Sequence, residues 1–67
     1  MELTNREHEV LELLVQGLSN RQISDRLSIT NHTTKAHLSS IYEKLKIKNR
    51  VQAVVKYFEL VKQKQLL

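Results

Sequence analysis

The stretch SNRQISDRLSITNHTTKAHLSSIYEKL, residues 19–45, decides the fold of this chain. Ser19-Asn20-Arg21-Gln22 has the form of a capping box. The serine hydroxyl accepts from the backbone N–H three residues on, and the glutamine reaches back to the serine N–H. Ile23 and Leu27 stand four apart and share one face of the helix that starts there. That helix is short, because Ser28-Ile29-Thr30 breaks its pattern. Thr30 is a good N-cap for a longer helix over about 31–45. In it Thr34, Leu38, Ile41 and Leu45 fall on one stripe at 100° per residue, with His32, Lys35, Ala36, Ser39 and Glu43 on the far side. A helix of one or two turns buries little alone. Its use is to brace the next helix at a fixed angle, which is the helix-turn-helix arrangement.

Upstream, Thr4-Asn5-Arg6-Glu7 is another capping box and opens a helix whose apolar positions are Val10, Leu11, Leu13, Leu14 and Val15. Gly17 is the one glycine of the chain. It follows the last periodic residues as a left-handed helix stop, and Leu18 is placed to close the accompanying apolar contact. Downstream, Lys46-Ile47-Lys48 breaks the period and Asn49-Arg50-Val51-Gln52 reads as a third capping box, opening a fourth helix. That helix has two apolar faces. One holds Ala53, Val54, Tyr57 and Val61; the other holds Val51, Val55 and Phe58. A helix apolar on two sides is either deeply buried or shared with a partner chain. Tyr42 and Tyr57 are expected to pack, and Lys62-Gln63-Lys64-Gln65 to fray.

Composition agrees with an all-α domain spanning 1–67. The chain has 67 residues, one Gly, no Pro and no Cys, which leaves little turn chemistry for strands and no disulfide or thiolate metal site. No apolar run is long enough to cross a membrane and no signal-like stretch opens the sequence, so the expected compartment is the cytoplasm. His32 and His37 are five apart and share no helix face, so neither a metal nor another cofactor is expected. No nucleophile–base pair, phosphate-cradling glycine loop or plausible carboxylate pair is present, and a domain this small has little room for a cleft. An enzyme is not expected.

Charge is divided unevenly. Residues 1–30 carry three basic and five acidic groups, whereas residues 31–67 carry eight basic and two acidic ones, within an overall net charge of +4. A basic half points to a polyanionic partner. A helix fits the major groove of duplex DNA, where residues near its N-terminus reach base edges. His32, Lys35, Ala36 and Ser39 leave room for that approach: Lys35 can donate to guanine, Ala36 can touch a thymine methyl, and Ser39 can donate or accept. Asn20, Arg21, Thr30, Thr33, Lys46, Lys48 and Arg50 are candidates for phosphate contacts, which position a domain without reading sequence. Lys44 is a further candidate for neutralising backbone charge.

The same residues carry a resemblance. Leu3-Thr4-x-Arg6-Glu7-x-Glu9-Val10-Leu11, Gly17-x-Ser19-Asn20-Arg21, Ile23-x-x-x-Leu27-x-Ile29, Thr33-x-Lys35-x-His37-Leu38 and Lys44-Leu45-x-Ile47-x-Asn49-Arg50-x-Gln52-Ala53-Val54 together resemble the LuxR/FixJ/NarL-type DNA-binding domain, from Leu3 to about Val61. The resemblance implies a four-helix transcription regulator domain whose third helix enters the major groove. It implies base contacts from Lys35, Ala36 and Ser39, and phosphate contacts from Asn20, Arg21, Thr33, His37 and Arg50. It also implies a homodimer formed through the fourth helix on inverted-repeat sites, which favours the partner reading of Val51, Val55 and Phe58. A receiver or sensor domain commonly accompanies such a domain. Two alternatives are a protein-interaction module that has kept this fold and a promoter-recognition domain of a sigma factor. Asn20, Arg21, Lys35 and Arg50 weigh against the first, and the Asn49–Val54 pattern against the second.

Three positions depart from the family pattern. Gln22 replaces a usual Glu, Ser24 a usual Ala, and Thr34 a usual Val on the buried stripe. The Thr34 hydroxyl needs a partner, and the carbonyl of Thr30 one turn back is the expected one.

Overall fold

The computed structural model describes the backbone of residues 2–65 and the side chains of residues 2–63. Four helices follow in order: α1 Asn5–Val15, α2 Asn20–Leu27, α3 Asn31–Leu45 and α4 Arg50–Gln65. No strand occurs among the described residues. Helix α3 packs against both α1 and α2, while α4 packs mainly on α1. The fourth helix runs through the Lys62–Gln65 stretch where fraying is expected from sequence.

Helix starts follow the side-chain chemistry. Thr4 Oγ1 accepts from Glu7 N at 3.1 Å while Glu7 Oε1 accepts from Thr4 N at 2.8 Å. Ser19 and Gln22 do the same at 3.2 and 2.8 Å. Thr30 Oγ1 caps α3 by accepting from Thr33 N at 3.0 Å. The fourth start differs from the expected box: Asn49 Oδ1 accepts from Gln52 N at 2.9 Å, but Gln52 Oε1 accepts from Lys48 N rather than from the cap residue itself. The longer reach ties the α3–α4 turn to the first turn of α4.

The first three helices end alike. After α1, Gly17 N donates to Leu14 O and Leu18 N to Leu13 O, with Gly17 at φ +96°. After α2, Ser28 N donates to Asp25 O and Ile29 N to Ser24 O; after α3, Lys46 N donates to Glu43 O and Ile47 N to Tyr42 O. This is the Schellman pattern three times. Only the first stop uses glycine. Ser28 at φ +57° and Lys46 at φ +56° adopt the left-handed conformation with a Cβ present. Each is followed by an isoleucine, and Ile47, like Leu18, packs against the core.

The core consists of Val10, Leu11, Leu14, Ile23, Leu38, Ile41 and Ala53, at most 7% exposed. Each large aliphatic among them contributes about 1.5–3 kcal/mol by leaving water. Tyr42 and Tyr57 lean on this cluster, as expected. The two faces of α4 separate cleanly: Ala53 is fully buried, whereas Val51, Val55 and Phe58 are 72%, 54% and 58% exposed. The second apolar face is therefore not core.

Candidate nucleic-acid interface

Helix α3 is held by a different neighbour on each flank. On the α1 side the anchor is Glu7, a carboxylate only 4% exposed. Its Oε2 accepts from Ser40 Oγ at 2.5 Å and its Oε1 from Lys44 Nζ at 2.7 Å, in addition to Thr4 N. Those bonds, led by the ones from Lys44 and Ser40, outweigh burial and lower the Glu7 pKa from 4.5 to about 2. Lys44, a candidate for neutralising backbone charge, is thereby also engaged within the protein. The tie was missed because a capping glutamate gives no sign of a second role 37 residues away.

On the α2 side the anchor is a buried hydroxyl pair. Ser24 Oγ and Thr34 Oγ1 lie 2.6 Å apart, with the residues 4% and 0% exposed. Ser24 Oγ is also 2.8 Å from Asn20 O and 2.9 Å from Asn31 Oδ1, both acceptors. The partner of the Thr34 hydroxyl is thus Ser24 and not the carbonyl of Thr30. A serine cross-helix neighbour competes successfully with back-bonding along the helix. The hydroxyls of Ser24 and Thr34, two of the positions singled out in the sequence, are therefore direct partners in the fold.

Between these anchors, the remaining face of α3 stays open. His32, Lys35, Ala36 and Ser39 are all exposed, so the four candidates for base contact share one unobstructed surface beginning in the first turn of the helix. Thr33 and His37 are half-buried on its edge. Thr30 is exposed, although its hydroxyl already serves Thr33 N and lies 2.9 Å from Thr33 Oγ1. Arg21 is exposed in the first turn of α2, and Asn20 beside it is half-buried with its Oδ1 enclosed and without a hydrogen-bond partner. Lys46 and Lys48 are exposed in the turn after α3. Arg50 is half-buried, and its Nη2 donates to the carbonyl of Leu18. One of its five donors therefore closes the α1–α2 turn onto α4.

A hollow lies between α1 and the later turns of α4, against Leu3, His8, Leu11, Leu45, Tyr57 and Val61. None of the candidate residues lines it. Among the described residues no group of three or more His, Cys, Asp or Glu side chains stands together, and no helix is long and apolar enough to cross a membrane.

Comparison with known proteins places this geometry. The family described as bacterial regulatory proteins, luxR family, matches residues 1–57. The chain is 46% identical over 54 residues to the nitrate/nitrite response regulator protein NarL of Escherichia coli (strain K12), covering 81% of this chain and 25% of NarL. It is 44% identical over 54 residues to the transcriptional regulatory protein DesR of Bacillus subtilis (strain 168), covering 81% of this chain and 27% of DesR. Among solved structures, the response regulator ChrA of a heme-sensing two-component system superposes with a TM-score of 0.82 at 42% identity, over 100% of this chain and 31% of ChrA. The chain thus corresponds to about a quarter to a third of each of these proteins, and all of them are regulators rather than enzymes by description. On the family match and on the four-helix architecture that carries it, this chain belongs to the luxR family of bacterial regulatory proteins.

Proposed function

We propose that this domain, residues 1–67, is a sequence-specific double-stranded DNA-binding module of a transcription regulator acting in the cytoplasm. The observation that carries the reading is the open face of α3. His32, Lys35, Ala36 and Ser39 are exposed together on a helix fixed from both sides by buried polar anchors. A rigid helix with a free N-terminal face of small and donor side chains suits the major groove. In this reading the 19–45 helix-turn-helix docks α3 against base edges, and Asn20, Arg21, Thr30, Thr33, His37, Lys46, Lys48 and Arg50 meet phosphates on either side.

Two copies bind inverted half-sites about 10 base pairs apart, joined through Val51, Val55 and Phe58 of α4. The exposure of these three side chains supports the pairing, since a lone helix gains nothing from a wet apolar stripe. NarL and ChrA are response regulators by description and several times longer, so a receiver or sensor domain is the natural switch in a longer regulator. The test is duplex retention at two salt concentrations, using duplexes selected from a random pool. Tight binding that falls steeply with salt and prefers the selected sequence supports the reading. Salt-insensitive or absent retention overturns it in favour of a protein-interaction module.

A further inference from the structure

Asn31, the first residue of α3, is exposed, and its Oδ1 lies 2.9 Å from the buried Ser24 Oγ. Ser24 has one hydroxyl hydrogen and two acceptors in reach, Asn20 O at 2.8 Å and Asn31 Oδ1 at 2.9 Å. Thr34 Oγ1 lies 2.6 Å from Ser24 Oγ, and either hydroxyl can donate to the other. The buried Ser24 hydroxyl thus stands between Thr34, the Asn20 carbonyl and the inward oxygen of Asn31. A planar amide with its oxygen held inward leaves the nitrogen, with two N–H donors, on the other side.

The sequence position gives that nitrogen a place. Asn31, Lys35 and Ser39 stand at i, i+4 and i+8, so Asn31 extends the ridge of the open face by one turn toward the helix start. A free asparagine pairs with adenine through both its oxygen and its nitrogen. With the oxygen engaged by Ser24, this one presents donors, which match an acceptor-only phosphate. We propose that Asn31 is a DNA phosphate contact, and that Ser24, buried against Thr34, is the positioning residue that aims its amide. The proposal rests on the docking of α3 argued above.

The test compares wild type, Asn31→Ala, the double variant Ser24→Ala/Thr34→Val and the triple variant, on a selected duplex and on a shuffled duplex of equal length. Asn31→Ala is expected to weaken both duplexes alike, by about three- to ten-fold for one lost hydrogen bond. The salt dependence should stay unchanged, because a neutral amide displaces no counterion. The double variant removes both buried hydroxyls together, so its circular dichroism and melting should stay close to wild type while it shows most of the same loss. Adding Asn31→Ala to it should cost little more, since the two changes disable one contact. Equal binding by wild type and Asn31→Ala, a loss confined to the selected duplex, or additive losses in the triple variant would each overturn the assignment. Absence of duplex binding by the wild type would overturn the docking reading as well, which separates the two failures.

Discussion

The Glu7 carboxylate and the Lys44 ammonium meet at 2.7 Å, joining the first turn of α1 to the last turn of α3 across 37 residues of sequence. Glu7 is also the residue that caps its own helix, so a single side chain sets the start of α1 and the seating of α3. A partly enclosed pair of this kind is costly to break from one side, because the remaining charge loses its partner.

Acid should weaken the domain through this carboxylate. Its pKa is about 2 in the fold against an ordinary 4.5, so the folded state favours the ionised form. The stabilisation is complete above pH 4.5 and is lost as pH falls toward 2. It amounts to about 3 kcal/mol, a large share of the ~3–10 kcal/mol expected for a domain of this size. Urea unfolding across that pH range should show the decline in wild type, and Glu7→Gln should be less stable at pH 7 with a flatter acid limb. A Glu7→Gln protein with unchanged stability at pH 7 would remove the anchor from the account.

The two left-handed stops without glycine are sites where stability is left unrealised. Ser28→Gly and Lys46→Gly should each stabilise by about 0.5–1 kcal/mol, since glycine takes φ near +57° without strain from a Cβ. That raises the melting temperature by about 2–8 °C. Lys46→Gly should also lower the salt slope of DNA binding by about one, because it removes a charge proposed to meet phosphate. Gain in stability with loss of affinity in one variant separates the two roles of that residue; a drop in melting temperature would contradict the cap assignment.

Lys35→Ala should reduce affinity by about 1–3 kcal/mol and relax preference at one base position while leaving the melting temperature unchanged. Parallel selections with wild type and variant read the preference directly. A loss equal on every sequence would move Lys35 to the phosphate contacts.

Val55→Glu should leave the monomer folded, as this side chain is 54% exposed. Occupancy of paired half-sites should fall while binding to an isolated half-site persists. Unfolding in circular dichroism would place Val55 in the core after all.

Much of this architecture is legible in the sequence because helix starts are local. Thr4 with Glu7, Ser19 with Gln22 and Thr30 before its helix each announce a cap over three or four residues, and Gly17 announces a stop. Ser28 and Lys46 do not, since neither residue type signals a positive φ; the isoleucine after each was the available clue. The two faces of α4 were visible, but which one is wet depends on what packs beside it. Ser24 and Thr34 each stand out in the sequence, and only the three-dimensional fold makes them a pair. Glu7 shows only its capping role in the sequence, because its other partners, Ser40 and Lys44, lie more than thirty residues away.

In the proposed function the open face of α3 meets DNA. The most direct measurement is titration of the isotope-labelled domain with a selected duplex, followed by amide and side-chain chemical shifts. The account predicts the largest changes at His32, Lys35, Ala36 and Ser39, with smaller ones at Arg21 and Lys48. Changes confined to α4, or to the hollow between α1 and α4, with the signals of α3 unmoved at saturation, would contradict it.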